Sequence, residues 1–199
     1  MSTRGPSKTP LHEACLREAL EMIATEGLEA LNLRAIARRL GVSHQAPYKH
    51  FSSRDHLLAE VIRRCLADFA AYLRASGEGG DPLAQMHALG EAYLGYALSR
   101  PLEYQLMFAT EWPEVAHQAE LGVDARAAFD VLCLRLSALR PDLAGRALDR
   151  EAMFVWSAMH GVAGVLQSGA MRYLGMDGDE QRAVVAHVND LVDRAISPT

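Results

Sequence analysis

The stretch Leu33-Arg-Ala-Ile-Ala-Arg-Arg-Leu-Gly-Val-Ser-His-Gln-Ala-Pro-Tyr-Lys-His-Phe51 constrains the fold more than any other part of the chain. Leu33, Ile36, Ala37 and Leu40 recur at i, i+3, i+4 and i+7, which predicts one apolar face of a two-turn helix. Gly41 can take the positive φ that stops this helix, and Ser43 is positioned to cap a second one. Two short helices joined by a Gly-Val-Ser turn make a helix-turn-helix. In such a unit the first helix crosses the phosphate backbone and the second enters the major groove. The segment therefore points to sequence-specific DNA binding.

The formal net charge of −5 is at odds with a DNA binder until it is divided along the chain. Residues 1–64 carry ten Lys or Arg against seven Asp or Glu, whereas the remainder carries ten against eighteen. A basic end joined to an acidic body suits a molecule that touches phosphate at one end only, although so modest an excess also fits ordinary surface charge. No uncharged apolar run reaches the length of a membrane span, and the first residues lack the apolar core of a signal peptide, so a cytoplasmic protein without membrane contact is expected. Cys15, Cys65 and Cys133 are far apart and never in a Cys-x-x-Cys pair, which argues against a disulfide framework or a structural zinc site. His12 and Cys15 share a helix face, but no second ligand pair accompanies them. Neither a metal nor a cofactor is expected. No nucleophile elbow, P-loop, zincin or dinucleotide motif is present, so an enzyme is not expected either.

Glycine and proline punctuate a chain that otherwise reads as about nine helices. Thr9-Pro10 opens the first, whose stripe Leu16, Leu20 and Ile23 ends at Gly27. Ser52-Ser-Arg-Asp55 resembles a capping box that opens a long helix, from Ser53 to about Arg74, with Leu58, Val61/Ile62, Cys65, Phe69 and Tyr72/Leu73 inward. Ser76–Gly80 is a linker, and Asp81-Pro82 restarts a helix bearing Met86, Leu89, Tyr93 and Tyr96. Prolines 101, 113 and 141 then separate a short helix from a longer one through Phe129, Leu132 and Leu136. A helix from about Asp149 to Tyr173 follows, and Asp179 is expected to cap the last, with Val184, Val188 and Leu191 on one side.

Ala19-Leu20, Ala24, Gly27, Ile36-Ala37, Leu40-Gly41-Val42-Ser43, Tyr48, His50-Phe51, Arg54 and Leu57-Leu58 together resemble the N-terminal signature of the tetracycline-repressor (TetR) family of transcriptional regulators. Tyr96–Phe108 and the pattern Trp156-x-x-x-His160-Gly161 are similar to a subfamily with a Trp-His-Gly C-terminal domain. Gln45, Ala46 and Pro47 replace the Gly, Thr and Leu commoner in the family, and Ala35 replaces an acid. Pro47 costs little because it lies in the first turn of its helix.

The resemblance implies an all-α protein: a three-helix DNA-binding domain over 8–68, joined by a long helix to a ligand-binding and dimerisation domain over 69–199. It implies a homodimer on a palindromic operator, with repression as the family default. Gln45 and His44 are candidates for base edges, since Gln can make two hydrogen bonds to adenine, and Ala46 can offer a methyl contact. Tyr48 and Lys49 are candidates for phosphate, Tyr48 fitting a packing aromatic as well, and Arg54 matches a phosphate-contacting position; Arg34 is counted among the DNA contacts, and Asn32 and Ser43 can cap their helices and present N–H groups to phosphate. His50 is counted with these contacts, although it also fits a packing role like that of Phe51; Arg38 and Arg39 fit phosphate contact and plain solvation equally well. Phe69, Tyr72, Tyr93, Tyr104, Phe108, Phe129, Trp156 and His160 are candidate contacts for an apolar or aromatic effector, or else ordinary core. Gly161, Gly164 and Gly169 suggest close helix approach, and the last two long helices are the expected dimer interface.

Overall fold

The computed structural model describes residues 10–77, 79–114 and 118–198, and every regular element among them is helical. The order is α1 (Pro10–Glu26), a 3-10 turn (Leu28–Ala30), α2 (Leu33–Arg39), a 3-10 helix (Pro47–Lys49) and α3 (Arg54–Arg74). Then come α4 (Pro82–Ser99), α5 (Pro101–Phe108), α6 (Gln118–Leu139), α7 (Arg146–Ser168), α8 (Ala170–Tyr173) and α9 (Gly178–Ile196). Thr9, half of the expected opening signal, lies outside the described residues. None of the described helices is long and apolar enough to cross a membrane.

The first three α-helices close a small core of their own. Cys15, Leu16, Ala19 and Met22 on α1 meet Leu33, Ile36 and Ala37 on α2, with Phe51 and Leu57 sealing the far side, all buried. Asn32 caps α2 as expected, its side chain accepting from the Ala35 N–H at 2.7 Å. The α3 cap differs from expectation by one residue. Ser53, not Ser52, accepts from the His56 N–H at 3.0 Å, and His56 Nδ1 accepts in return from the Ser52 N–H at 3.1 Å. The reciprocal logic of a capping box is kept, with an imidazole in the place of Glu.

α3 runs on out of this unit and packs against α5 and α6, while α4, α7 and α9 complete a second bundle. Arg63 stands at the junction: its guanidinium binds Glu60 on its own helix at 2.6 Å and reaches across to Glu120 and Asp124 of α6, both at 2.8 Å. Burial pushes its pKa down, but the hydrogen bonds to Asp124 and Glu60 outweigh this and hold it up. Asp81 caps α4 by accepting from the Ala84 N–H at 2.9 Å.

Two expectations near the C-terminus are corrected. The helix expected to continue to Tyr173 ends at Ser168, because Gly169 adopts φ 69° and turns the chain before the single turn of α8. The cap of α9 is Asp177 rather than Asp179: its side chain accepts from the N–H groups of Asp179 and Glu180, at 3.0 and 3.3 Å. Asp179 sits inside the first turn and pairs with Arg182.

Candidate DNA interface and ligand cavity

The recognition segment is tighter than a regular α-helix. Ala46 donates to the Ser43 carbonyl at 2.9 Å, Lys49 to Ala46 at 3.3 Å and His50 to Pro47 at 2.9 Å, an i to i−3 ladder. Pro47 has no N–H to offer Ser43, so a 13-atom ring cannot close there and the 3-10 pattern takes over. The expected Ser43 side-chain cap is replaced by that carbonyl contact, and no side chain caps the 3-10 helix. Pro47 and Phe51 are buried and pin the segment to the core, while His44, Gln45, Tyr48 and Lys49 are exposed beside it and Ala46 is half-buried. Four side chains able to hydrogen-bond thus project from one rigid turn.

The surrounding cations divide into two groups. Arg34, Arg38 and Lys49 are exposed, and no described carboxylate lies within ion-pair reach of them. Arg39 is instead committed to Glu18, at 2.8 Å, and to Glu26 of α1. Arg54, read from the sequence as a phosphate ligand, donates to the carbonyls of Leu31 at 3.1 Å and Leu28 at 2.9 Å. It ties the turn before α2 to the start of α3 and thereby sets the two elements that flank the recognition segment. His50 is half-buried with its ring 5.9 Å from that of His12, and His12 stacks on Phe51 at 4.9 Å, so packing accounts for its position.

The second bundle is not filled. Between α3, α4, α6, α7 and α9 lies a cavity of about 140 Å³, walled by Phe69, Phe108, Phe129 and Trp156 among others. Of the eight residues expected around an effector, these four and Tyr93 line it. Tyr72 does not: three residues after Phe69 and one before Leu73, it is 41% exposed and packs against Tyr96 with ring centroids 5.5 Å apart. Tyr104 and His160 lie behind the wall and hold it in place. Trp156 Nε1 donates to the Tyr93 hydroxyl at 3.0 Å, the Tyr93 and Tyr104 hydroxyls are 2.9 Å apart, and the Tyr104 hydroxyl is 2.6 Å from His160 Nδ1. A neutral imidazole accepting at Nδ1 completes this chain. Burial agrees with that state, lowering the His160 pKa, raising Tyr93 to about 12 and raising Tyr104 strongly.

On the outer side of α7 and α9 the apolar residues Met153, Phe154, Val165 and Leu191 are between 46 and 47% exposed. Gly161 and Gly164 lie on α7 with nothing within 4 Å of the place a Cβ would occupy. Val188, expected beside Leu191, turns partly into the core instead.

Residues 16–61 match the family model described as "Bacterial regulatory proteins, tetR family", and residues 86–191 match "Tetracyclin repressor-like, C-terminal domain". The chain belongs to the TetR family. It is a DNA-binding transcriptional regulator, and TetR regulators bind DNA and dimerise. It is 27% identical over 88% of its length to the "Uncharacterized HTH-type transcriptional regulator Rv0681" of Mycobacterium tuberculosis, covering 78% of that protein. It is 29% identical over 57% of its length to the "HTH-type transcriptional activator FasR" of Mycolicibacterium smegmatis, spanning only 55% of that relative. Among solved structures, a protein with unknown function from Rhodococcus sp. RHA1 superposes with a TM-score of 0.79 at 25% identity, covering 98% of this chain and all of that one.

In this TetR-family chain, sequence reasoning missed Trp112, Asn189, His87 and Asp193, all of which line the cavity. Trp112 follows α5 and returns its indole N–H to the Met107 carbonyl at 3.0 Å, which places its ring over the cavity. The Pro113 after it was the available signal, since a proline disfavours helical backbone at the residue before it.

Proposed function

We propose that this regulator is a ligand-responsive repressor that binds a palindromic operator as a homodimer. The observation that carries it is the recognition turn, with four hydrogen-bonding side chains exposed on a segment pinned by Pro47 and Phe51. His44, Gln45 and Ala46 read bases; Tyr48 and Lys49, with Arg34 and the N–H groups at the α2 start behind Asn32, hold phosphate. Arg54 and His50 support this surface from behind. The exposed apolar residues of α7 and α9, with the open Gly161 and Gly164, support self-association through the last two long helices. The reading divides the chain into a DNA-binding domain, 8–68, and a regulatory domain, 69–199, and assigns its Trp156-His160-Gly161 pattern to the Trp-His-Gly subfamily. A cytoplasmic location goes with it.

Selection from random DNA should enrich an inverted repeat; enrichment of none would overturn the reading. Lys49→Ala should weaken binding to all sequences alike, whereas Gln45→Ala should alter preference at one base pair by about 1–3 kcal/mol. The effector enters the cavity and lowers DNA affinity, because it favours the DNA-incompetent state. DNA must then weaken effector binding by the same factor.

A further inference from the structure

The cavity has a polar corner where α4 meets α9. Asn189 on α9 lines the cavity and is 6% exposed, yet its carboxamide pairs with no protein group among the described residues. The two other polar groups beside it are already engaged with one another, His87 Nδ1 lying 3.1 Å from Asp193 Oδ2. Across from Asn189 stands Gly90, also in the wall, where a Cβ would come within 3.5 Å of Asn189 Oδ1 and 3.2 Å of Met159 Sδ. The missing side chain keeps the space before the carboxamide open. The carboxamide is not sealed off without a partner but stays accessible from the cavity and from the groove between α4 and α9, so a hydrogen-bonding group that arrives with a ligand can take the place of water on it.

We infer that the cavity takes a single-ring aromatic molecule bearing an uncharged hydrogen-bonding substituent, with the ring among Phe108, Phe129 and Trp156 and the substituent on Asn189. This rests on the reading of the cavity as the effector site and adds the chemistry of the effector. Size sets the ring number: an apolar cavity of about 150 Å³ holds benzene, and this one is about 140 Å³. The wall composition favours an aromatic body, since ring edges and faces pair at the 5–6 Å separations already present, such as 5.8 Å for both Phe108–Trp156 and Phe129–Trp156. Charge sets the substituent. Among the described residues no Lys or Arg lines the cavity, and the one carboxylate there, Asp193, would repel an anion, with His87 already taken and 3.7 Å from Glu91 on its other side.

The test is calorimetric titration of the full chain with toluene, benzyl alcohol and benzoate, three probes of one ring differing at the polar end. Benzyl alcohol should bind more tightly than toluene by roughly three- to tenfold, the range of one net hydrogen bond, and benzoate should bind most weakly. Asn189→Leu should reverse the order of alcohol and toluene, and Asp193→Asn should raise benzoate affinity while leaving alcohol ahead of toluene. The wild-type ranking stands as a test even if a variant fails to fold. Benzoate as the tightest probe, an alcohol-to-toluene ratio unchanged in a folded Asn189→Leu variant, or binding of none of the three would overturn the inference. Binding in this order without any change in operator affinity would leave the inference intact and break the regulatory reading alone.

Discussion

The two ends of the molecule use apolar side chains in opposite ways. The N-terminal unit packs apolar side chains closely: Phe51, Ile36, Met22 and Leu57 are fully buried within a few turns of helix, with His12 stacked on Phe51 and Glu60 buried at the edge. The second bundle has larger rings yet leaves a void among them, with Phe108, Phe129 and Trp156 only partly buried around it. Close packing suits a surface that must be presented in one geometry, because a close-packed interior resists small displacements. An unfilled interior leaves room for an occupant and for rearrangement. α3 belongs to both, and Arg63 bonds it to α6 at 2.8 Å through Asp124, so a shift in one bundle is felt at the other.

The sharpest way to break this contrast is to truncate one ring on each side. Phe51→Ala should destabilise the protein by about 3–5 kcal/mol, the usual cost of removing a fully buried ring from a core that cannot collapse. Phe129→Ala should cost roughly 1–2 kcal/mol, because the ring is half-buried and already borders empty space. Urea denaturation of the two variants gives both values. Equal costs would mean that the cavity wall is as tightly held as the N-terminal core.

The same contrast governs what could be read in the sequence. The helix-turn-helix was legible because its signals are local: the Leu33, Ile36, Ala37 face and the Asn32 cap act within a few residues and stand as expected. Where local rules failed, a neighbour in space had intervened. Arg54 reads from the sequence only as a candidate for phosphate, whereas the chain from Leu28 to Leu31 brings two carbonyls to it that no local pattern announces. The α3 cap slipped by one residue because His56 can accept from Ser52, a role that no capping-box pattern assigns to histidine. The cavity was legible only in its aromatic members. Asn189 lies on an amphipathic helix whose polar residues mostly face solvent, and only the position of α9 against α4, with Gly90 opposite, reveals its burial. Tyr72 failed for the converse reason, since its neighbours in the stripe are buried while it faces outward.

Caps offer a second comparison, with smaller effects. Ser53→Ala and Asp177→Ala each remove a side chain that satisfies helix N–H groups, and each should cost about 1 kcal/mol of stability. Their consequences for DNA should diverge. Ser53 fixes the start of α3, two residues after the Phe51 anchor of the recognition turn, whereas Asp177 opens α9. Operator affinity, compared well below the melting temperature, should therefore fall for Ser53→Ala and hold for Asp177→Ala. A drop in both would show that the second bundle sets the recognition geometry as strongly as the first.

The smallest expected effect concerns acidity. Burial lowers the His160 pKa below its ordinary value of 6.5, and its Nδ1 accepts from the Tyr104 hydroxyl 2.6 Å away. In the unfolded chain the imidazole regains the ordinary value, so just below pH 6.5 the unfolded state binds the additional proton. Stability therefore falls as the pH drops through that point, and the loss stops growing once the folded state is protonated too. Above it both states are neutral and His160 adds no slope. Protonation in the folded state would also turn Nδ1 from acceptor to donor and break the order of the chain through Tyr104, Tyr93 and Trp156, which supports the cavity wall. Denaturation midpoints at pH 5.5 and 7.5 should differ more in the wild type than in His160→Gln, which keeps an acceptor but cannot titrate. An equal difference in both would remove His160 as the source, and the cavity wall would then be no more sensitive to acid than the filled core beside the DNA.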